Sequence, residues 1–356
     1  MKTMCTTMAA MSAVLIFTSV NASASYQSPK MHDRRIPTAT TLHLFNTIDF
    51  TNPHEGFIGG QGIILTSHNG GSTWTTTYRG SVDAYAFDFL NNRLGWAVGQ
   101  RVLMVTKNAG ASWLTVSTRE PALAQVQFIS PNKGFGVSGS LGLYSGAHGL
   151  METRDGGRRW TFVPNMQDIQ SVSFANSETG WAASSTELLL TNDGGLHWKT
   201  VRPLRGEGIF NQVRAISTSS AWILSAGSGA PDYSPFTLDL VTRNGRENET
   251  VVKSVPSQRF FSSTPVSWSS SGSKAWVIAV NGVGKYLWLH TRENGHSWIN
   301  MGVIPGLTAY YKSGESEQPL SINAVHLNEW WMASNVNGHG ELWRSSDGGF
   351  LWHKRA

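Results

Sequence analysis

The chain has 356 residues, of which 14% are charged, with 37 Gly, 15 Trp, 15 Phe and a formal net charge of +5. That composition excludes a helical bundle, which needs long periodic runs of Glu, Lys, Ala and Leu. It favours strands, whose turns take Gly and whose pleated faces take aromatics. The charge is mild and no dense Lys/Arg run occurs, which excludes a nucleic-acid partner.

At the N-terminus, Lys2 precedes an apolar stretch over residues 9–20, followed by the small residues Ala22, Ser23 and Ala24. This is the pattern of a secretory signal peptide, expected to span 1–24, and its apolar part is too short for a membrane span. Cleavage after Ala24 would send a chain that is not an integral membrane protein to the periplasm or the extracellular space. The only cysteine, Cys5, would leave with the signal, so neither disulfides nor thiol chemistry are expected. Residues 25–45 read as an N-terminal tail. Within it Thr38 to Phe45 alternate well enough to form a strand that could help close a ring.

From 46 to 356 the chain repeats itself. Ser67-His68-Asn69-Gly70-Gly71-Ser72-Thr73-Trp74 returns as Thr106 to Trp113, Thr153 to Trp160, Thr191 to Trp198, Thr291 to Trp298 and Ser345 to Trp352. The shared frame is a hydroxyl residue, Asp/Asn/Glu two on, Gly four on and Trp seven on. Upstream of the copies lie an alternating stretch (Ile48-Asp49-Phe50, Phe87-Asp88-Phe89, Val126-Gln127-Phe128, Val172-Ser173-Phe174) and a Gly leading into an aromatic (Gly56-Phe57, Gly95-Trp96, Gly134-Phe135, Gly180-Trp181). The alternation reads as half-buried strands, one face in and one out. Four strands per unit, with box tryptophans 39, 47 and 38 residues apart, predict propeller blades. The 100 residues from Trp198 to Trp298 hold two units, one a worn copy at Thr242-Arg243-Asn244-Gly245, which makes seven. The expected fold is all-β, a seven-bladed β-propeller.

In this frame Gly supplies the positive φ of a tight turn, and the acid or amide and the hydroxyl bond backbone N–H groups within it. Asn69, Asn108, Asp155, Asp193, Glu293 and Asp347 are therefore expected to be structural. Their partners Trp74, Trp113, Trp160, Trp198, Trp298 and Trp352 are expected to pack between sheets.

The boxes resemble the Asp-boxes, or bacterial neuraminidase repeats, of sialidases, xyloglucanases and sortilin-type receptors. Gly95-Trp96-Ala97-Val98-Gly99 leading to Thr106 and Trp113 resembles the photosystem II assembly and stability factor family of seven-bladed propellers. That resemblance implies a non-enzymatic scaffold binding a protein partner at the mouth opposite the boxes. Arg202, Arg205 and Arg214, placed in the crossing from blade four to five, and the aromatics Tyr310 and Tyr311 are the candidate binding residues. The alternative is a carbohydrate-active propeller, either a sialidase-like glycosidase or a glycan-binding protein. Arg35-Ile36-Pro37 matches a sialidase tripeptide, with Tyr310 or Tyr311, Glu315 and Arg214 as recruits, but the acidic position expected after it is not evident. No catalytic residues are assigned. The 11 histidines show no metal-ligand spacing and no Gly-rich phosphate loop occurs, so neither metal nor cofactor is expected.

Overall fold

The computed structural model describes residues 4–6, 15–17, 44–99, 101–117, 122–138, 149–203, 209–226, 236–243, 247–250, 267–271, 274–280, 285–292, 297–308, 318–326, 328–336 and 339–355. Among them the regular elements are strands, arranged in seven antiparallel sheets. Each sheet takes four strands consecutive in the chain. Blade 1 runs from Phe45–Phe50 to Thr75–Arg79, blade 2 from Ala86–Phe89 to Leu114–Ser117 and blade 3 from Leu123–Phe128 to Thr161–Gln167. Blade 4 runs from Ile169–Phe174 to Lys199–Pro203 and blade 5 from Ile209–Ala215 to Glu247–Thr250. Blade 6 runs from Ser267–Ser271 to Ser297–Thr308, and blade 7 from Gln318–His326 to His353–Lys354. First strands pack on one another from blade 1 through blade 5 and from blade 6 to blade 7, and that of blade 7 packs on that of blade 1, so the seven described sheets stand around an axis as a propeller. Two short strands from the region expected to be a leader, Met4–Thr6 and Leu15–Phe17, pair together and touch blade 3 through Thr6 opposite Gln125. They lie against first strands of blades 1, 2, 3, 6 and 7, on the axis.

The expectation of half-buried strands is corrected by the burial pattern. In blade 2 all of Gly95-Trp96-Ala97-Val98-Gly99 is buried. Trp96 packs with Phe128 of blade 3, while its neighbour Ala97 packs with Phe57 of blade 1. Each sheet is sandwiched between two others, so both faces are core, and exposure begins only at fourth strands such as Thr75–Arg79.

One aromatic arrangement recurs between blades. The ring from the second strand of one blade stacks on the first-strand Phe of the next. The pairs are Phe57 on Phe89 (4.2 Å), Trp96 on Phe128 (3.5 Å), Phe135 on Phe174 (4.7 Å) and Trp331 on Phe50 (6.0 Å). The box Trp of that next blade then meets the same Phe edge-on: Trp113 on Phe89, Trp160 on Phe128, Trp198 on Phe174 and Trp74 on Phe50. The Gly before each second-strand aromatic has its reason here. Gly95 lies directly opposite Phe89 in the ladder, and a Cβ there would collide with the Phe89 ring.

First strands are sheet edges, and their outer N–H and C=O groups must find partners. Polar side chains of the preceding blade supply them. Gln125 donates to Val172 O and accepts from Val172 N; Gln127 does the same with Phe174. Asp88 accepts from Phe128 N at 2.6 Å, and Ser171 and Ser173 accept from Val213 N and Ala215 N. The joint between blades 7 and 1 uses the same device. Ser321 accepts from Ile48 N and donates to Ile48 O, and Asn335 accepts from Phe45 N and donates to Phe45 O. Blade 7 takes its four described strands from residues 318–354. Residues 38–43 of the anticipated closing strand lie outside the described residues.

Candidate functional site

Three regions could carry function: the box end, the opposite end and the axis.

At the box end the acids are consumed by turn structure. In five boxes the hydroxyl donates to the acid or amide: Ser67 to Asn69, Thr106 to Asn108, Thr153 to Asp155, Thr191 to Asp193 and Ser345 to Asp347 (2.7–3.0 Å). The same hydroxyls accept the N–H of Gly71, Gly110, Gly157, Gly195 and Gly349. The acid or amide oxygen in turn accepts the N–H six residues past the hydroxyl, at Thr73, Ser112, Arg159, His197 and Leu351. Gly71 has φ 80°, and a Cβ there would strike Trp331 of the previous blade, so the fourth position is fixed twice over. The N–H of His197 and the hydroxyl of Thr191 hold the Asp193 carboxyl well below the usual carboxylate range. Of the remaining box residues, Trp74, Trp113 and Trp352 are buried. Glu293 lies outside the described residues, and Trp298 is placed by its backbone pairing with Thr291.

The opposite end carries the turns between second and third strands. Arg101 is exposed there at φ 58°, the place occupied in blade 1 by Gly62 at φ 64°. A side chain in that conformation costs about 1–2 kcal/mol. Arg79 is exposed at the same end of blade 1, opposite Ile63. Asp83 accepts the Gly62 N–H at 3.0 Å, and burial followed by the charge of Asp83 pushes the half-buried Tyr85 hydroxyl up. At blade 4, Asp168 (φ 60°) accepts from the Ser185 hydroxyl.

Of the predicted binding residues, Arg202 and Arg214 fall among the described ones. Arg202 lies in the fourth strand of blade 4, opposite Leu188. Arg205, Tyr310 and Tyr311 lie outside the described residues. Arg214 is not in the crossing, because Val213-Arg214-Ala215 continues the alternation of the first strand of blade 5. Its side chain is buried at 4% exposure.

On the axis, Asp49, Asp88 and Arg214 form a buried charged group that the sequence reading passed over. Asp49 and Arg214 come from blades 1 and 5, which are not neighbours, and feel each other's charge across the ring. Burial pulls the Arg214 guanidinium down to about 9, against the pull of Asp49, so it stays charged at neutral pH. Burial, then the neighbouring Asp88, pushes the Asp49 carboxyl well above its usual range; Asn323 Nδ2 donates to its Oδ1 at 3.0 Å. The signal was present in the sequence: one polar residue between apolar ones at the same place in the first strands of blades 1 to 5 and 7. A native carboxyl that holds its proton longer than in the unfolded chain makes stability fall as pH rises above about 4. Asp49→Asn should flatten that fall and raise the melting temperature at pH 7. Melts between pH 4 and 8 would refute this if the slope were unchanged. Among the described residues no cluster of three His, Cys, Asp or Glu could hold a metal, and no helix is long and apolar enough to cross a membrane.

Residues 27–122 match the photosynthesis system II assembly factor YCF48 family. The fold is similar to a YCF48 bound to D1 peptide, with TM-score 0.55 and 14% identity over 90% of this chain and 99% of that one. It is similar to YCF48 from Cyanidioschyzon merolae, with TM-score 0.56 and 17% identity over 86% and 96%. It is also similar to the GH74 xyloglucanase from Xanthomonas campestris, with TM-score 0.62 and 12% identity over 88% of this chain and 54% of that enzyme. No curated protein matches the chain. These likenesses establish the propeller fold, and the chain resembles the assembly-factor propellers in its repeats.

Proposed function

We propose that the chain is an exported, non-enzymatic propeller that binds an extended segment of a partner protein on the end opposite the boxes. The observation that carries this reading is the contrast between the two ends. Box acids spend their acceptors on their own turns, whereas the opposite end holds an exposed arginine, Arg101, in a backbone conformation that Gly would adopt without strain. Strain kept at an exposed charged residue is a mark of function. The family matched by residues 27–122 and the similar propeller bound to a D1 peptide support a polypeptide ligand. Export rests on the leader-like residues 1–24, with the periplasm or extracellular space as destination.

The test is capture of the partner from the native host by the tagged chain. Arg79→Ala with Arg101→Gly should lower capture about tenfold or more, a change of about 1.4 kcal/mol, and make it less salt-sensitive. The same double variant should melt no lower than the parent, because Gly relieves the strained turn. Asp193→Ala should do the reverse, losing about 1–2 kcal/mol of stability with capture intact. Undiminished capture by the arginine variant would overturn the assignment of the face. Release of sugar from xyloglucan by the full chain would overturn the non-enzymatic reading.

A further inference from the structure

We propose that the box end of blades 2 to 4 docks on an anionic lipid surface, its arginines meeting headgroup phosphates and its leucines entering the acyl boundary. Arg93, Lys107, Arg154, Arg158 and Arg159 are exposed at that end, and Lys133 is half-buried. They share one end because the N–H groups of Ala109 and Gly156, in the boxes of blades 2 and 3, donate to Arg93 O and Asn132 O. Trp96 Nε1 donates to Gly156 O at 3.4 Å, which holds the box of blade 3 against blade 2. These six cations face two carboxylates, Glu152 and Asp155, so four positive charges remain in excess, close to the +5 of the whole chain. Glu152 is shared by Lys133 and Arg154 at 3.4 and 3.1 Å, and Asp155 Oδ1 accepts the Arg159 N–H of its own turn. Among the described residues Arg93, Lys107 and Arg159 enter no ion pair.

Apolar side chains select the partner. Of the six large apolar side chains exposed among the described residues, two flank these cations. Leu114, 65% exposed, directly follows Trp113 in blade 2, and Leu196, 58% exposed, stands in the box turn of blade 4. Lys133 reaches toward Gly194 of that box, so the arc is continuous from blade 2 to blade 4. Asp193, in the same turn as Leu196, spends its acceptors on the N–H and the ring of His197. An acidic polypeptide would use the cations and leave both leucines in water. A bilayer uses both, because guanidinium groups pair bidentately with phosphate while apolar side chains gain by entering the acyl boundary. The arc lies at the end opposite Arg79 and Arg101, and its failure to bind lipid would leave the proposed function standing.

The test is flotation of the full chain with vesicles of phosphatidylglycerol and phosphatidylcholine in equal parts, beside vesicles of phosphatidylcholine alone. Binding is expected on the mixed vesicles and should weaken with added salt. It should fall about tenfold or more in Arg93→Ala/Arg158→Ala/Arg159→Ala. Leu114→Ser/Leu196→Ser should lower it about tenfold while leaving the salt dependence in place. Phe350→Ser, similarly exposed on blade 7 outside the arc, and Arg79→Ala/Arg101→Gly at the opposite end should bind as the parent does. All these side chains are exposed, so parent-like melts are expected and would rule out unfolding as the cause. Equal binding to phosphatidylcholine alone, or undiminished binding by the arginine variant, would overturn the proposal. Parent-like binding by the leucine variant, with full displacement by poly-glutamate, would make the occupant an acidic polypeptide and overturn it as well.

Discussion

Trp331→Ala is expected to destabilise the propeller by about 3–5 kcal/mol, at the upper end for a buried aromatic truncation, and to lower its melting temperature by several degrees. Trp331 is 2% exposed in the cluster shared by blades 7 and 1. Its ring stacks on Phe50 and meets Trp74 edge-on at 6.1 Å. Gly71 closes against it from the first box, and Arg344, held by Glu329 at 2.8 Å, covers it from the other side. Every other pair of adjacent blades is joined by the chain, whereas among the described residues this joint is held by side-chain packing and side-chain hydrogen bonds, with Leu15–Phe17 lying against both first strands. Truncating Trp331 should therefore lower the melt more than Trp96→Ala, which acts at a covalently linked joint. An unchanged melt would mean that the seam is held by something other than this packing.

The second large effect is expected from Gln125→Leu combined with Gln127→Leu. The volumes are similar and both positions are buried, so packing alone predicts little change. The hydrogen bonds predict otherwise. Both glutamines use donor and acceptor on the edge of blade 4, and their loss leaves Val172 N, Val172 O, Phe174 N and Phe174 O without these partners. Each buried group left unsatisfied costs about 1–3 kcal/mol, so the pair should cost about 4 kcal/mol or more, well above Asp193→Ala. Denaturant melts of the two variants side by side would decide it. If the leucine pair were the more stable, apolar contact would be what joins the blades.

Much of this was legible in the sequence because its causes are local. The box frame works within eight residues, so hydroxyl, acid, Gly and Trp are visible as a motif, and its repetition marks the blades. The sheets' two-sided burial was not legible, because alternation looks the same whether the second face meets water or another blade. Nor was the role of Gln125, Gln127, Ser171 and Ser321. Their partners lie 42 to 273 residues away, and only closure of the ring brings them together. The same long range hid the axial group, since Asp49 and Arg214 meet only across the ring. Arg214 was misplaced because its neighbours in sequence are arginine-rich, while in space it feels the Asp49 carboxylate of blade 1.

The division of labour between the two ends is tested most directly by hydrogen exchange of the full chain with and without its captured partner. Protection gained at Gly62, Arg101 and the Ser185–Thr186 turn, with Gly71, Gly110, Gly157 and Gly195 unchanged, is the result expected. Protection gained at the box turns, with the opposite end unchanged, would contradict the account.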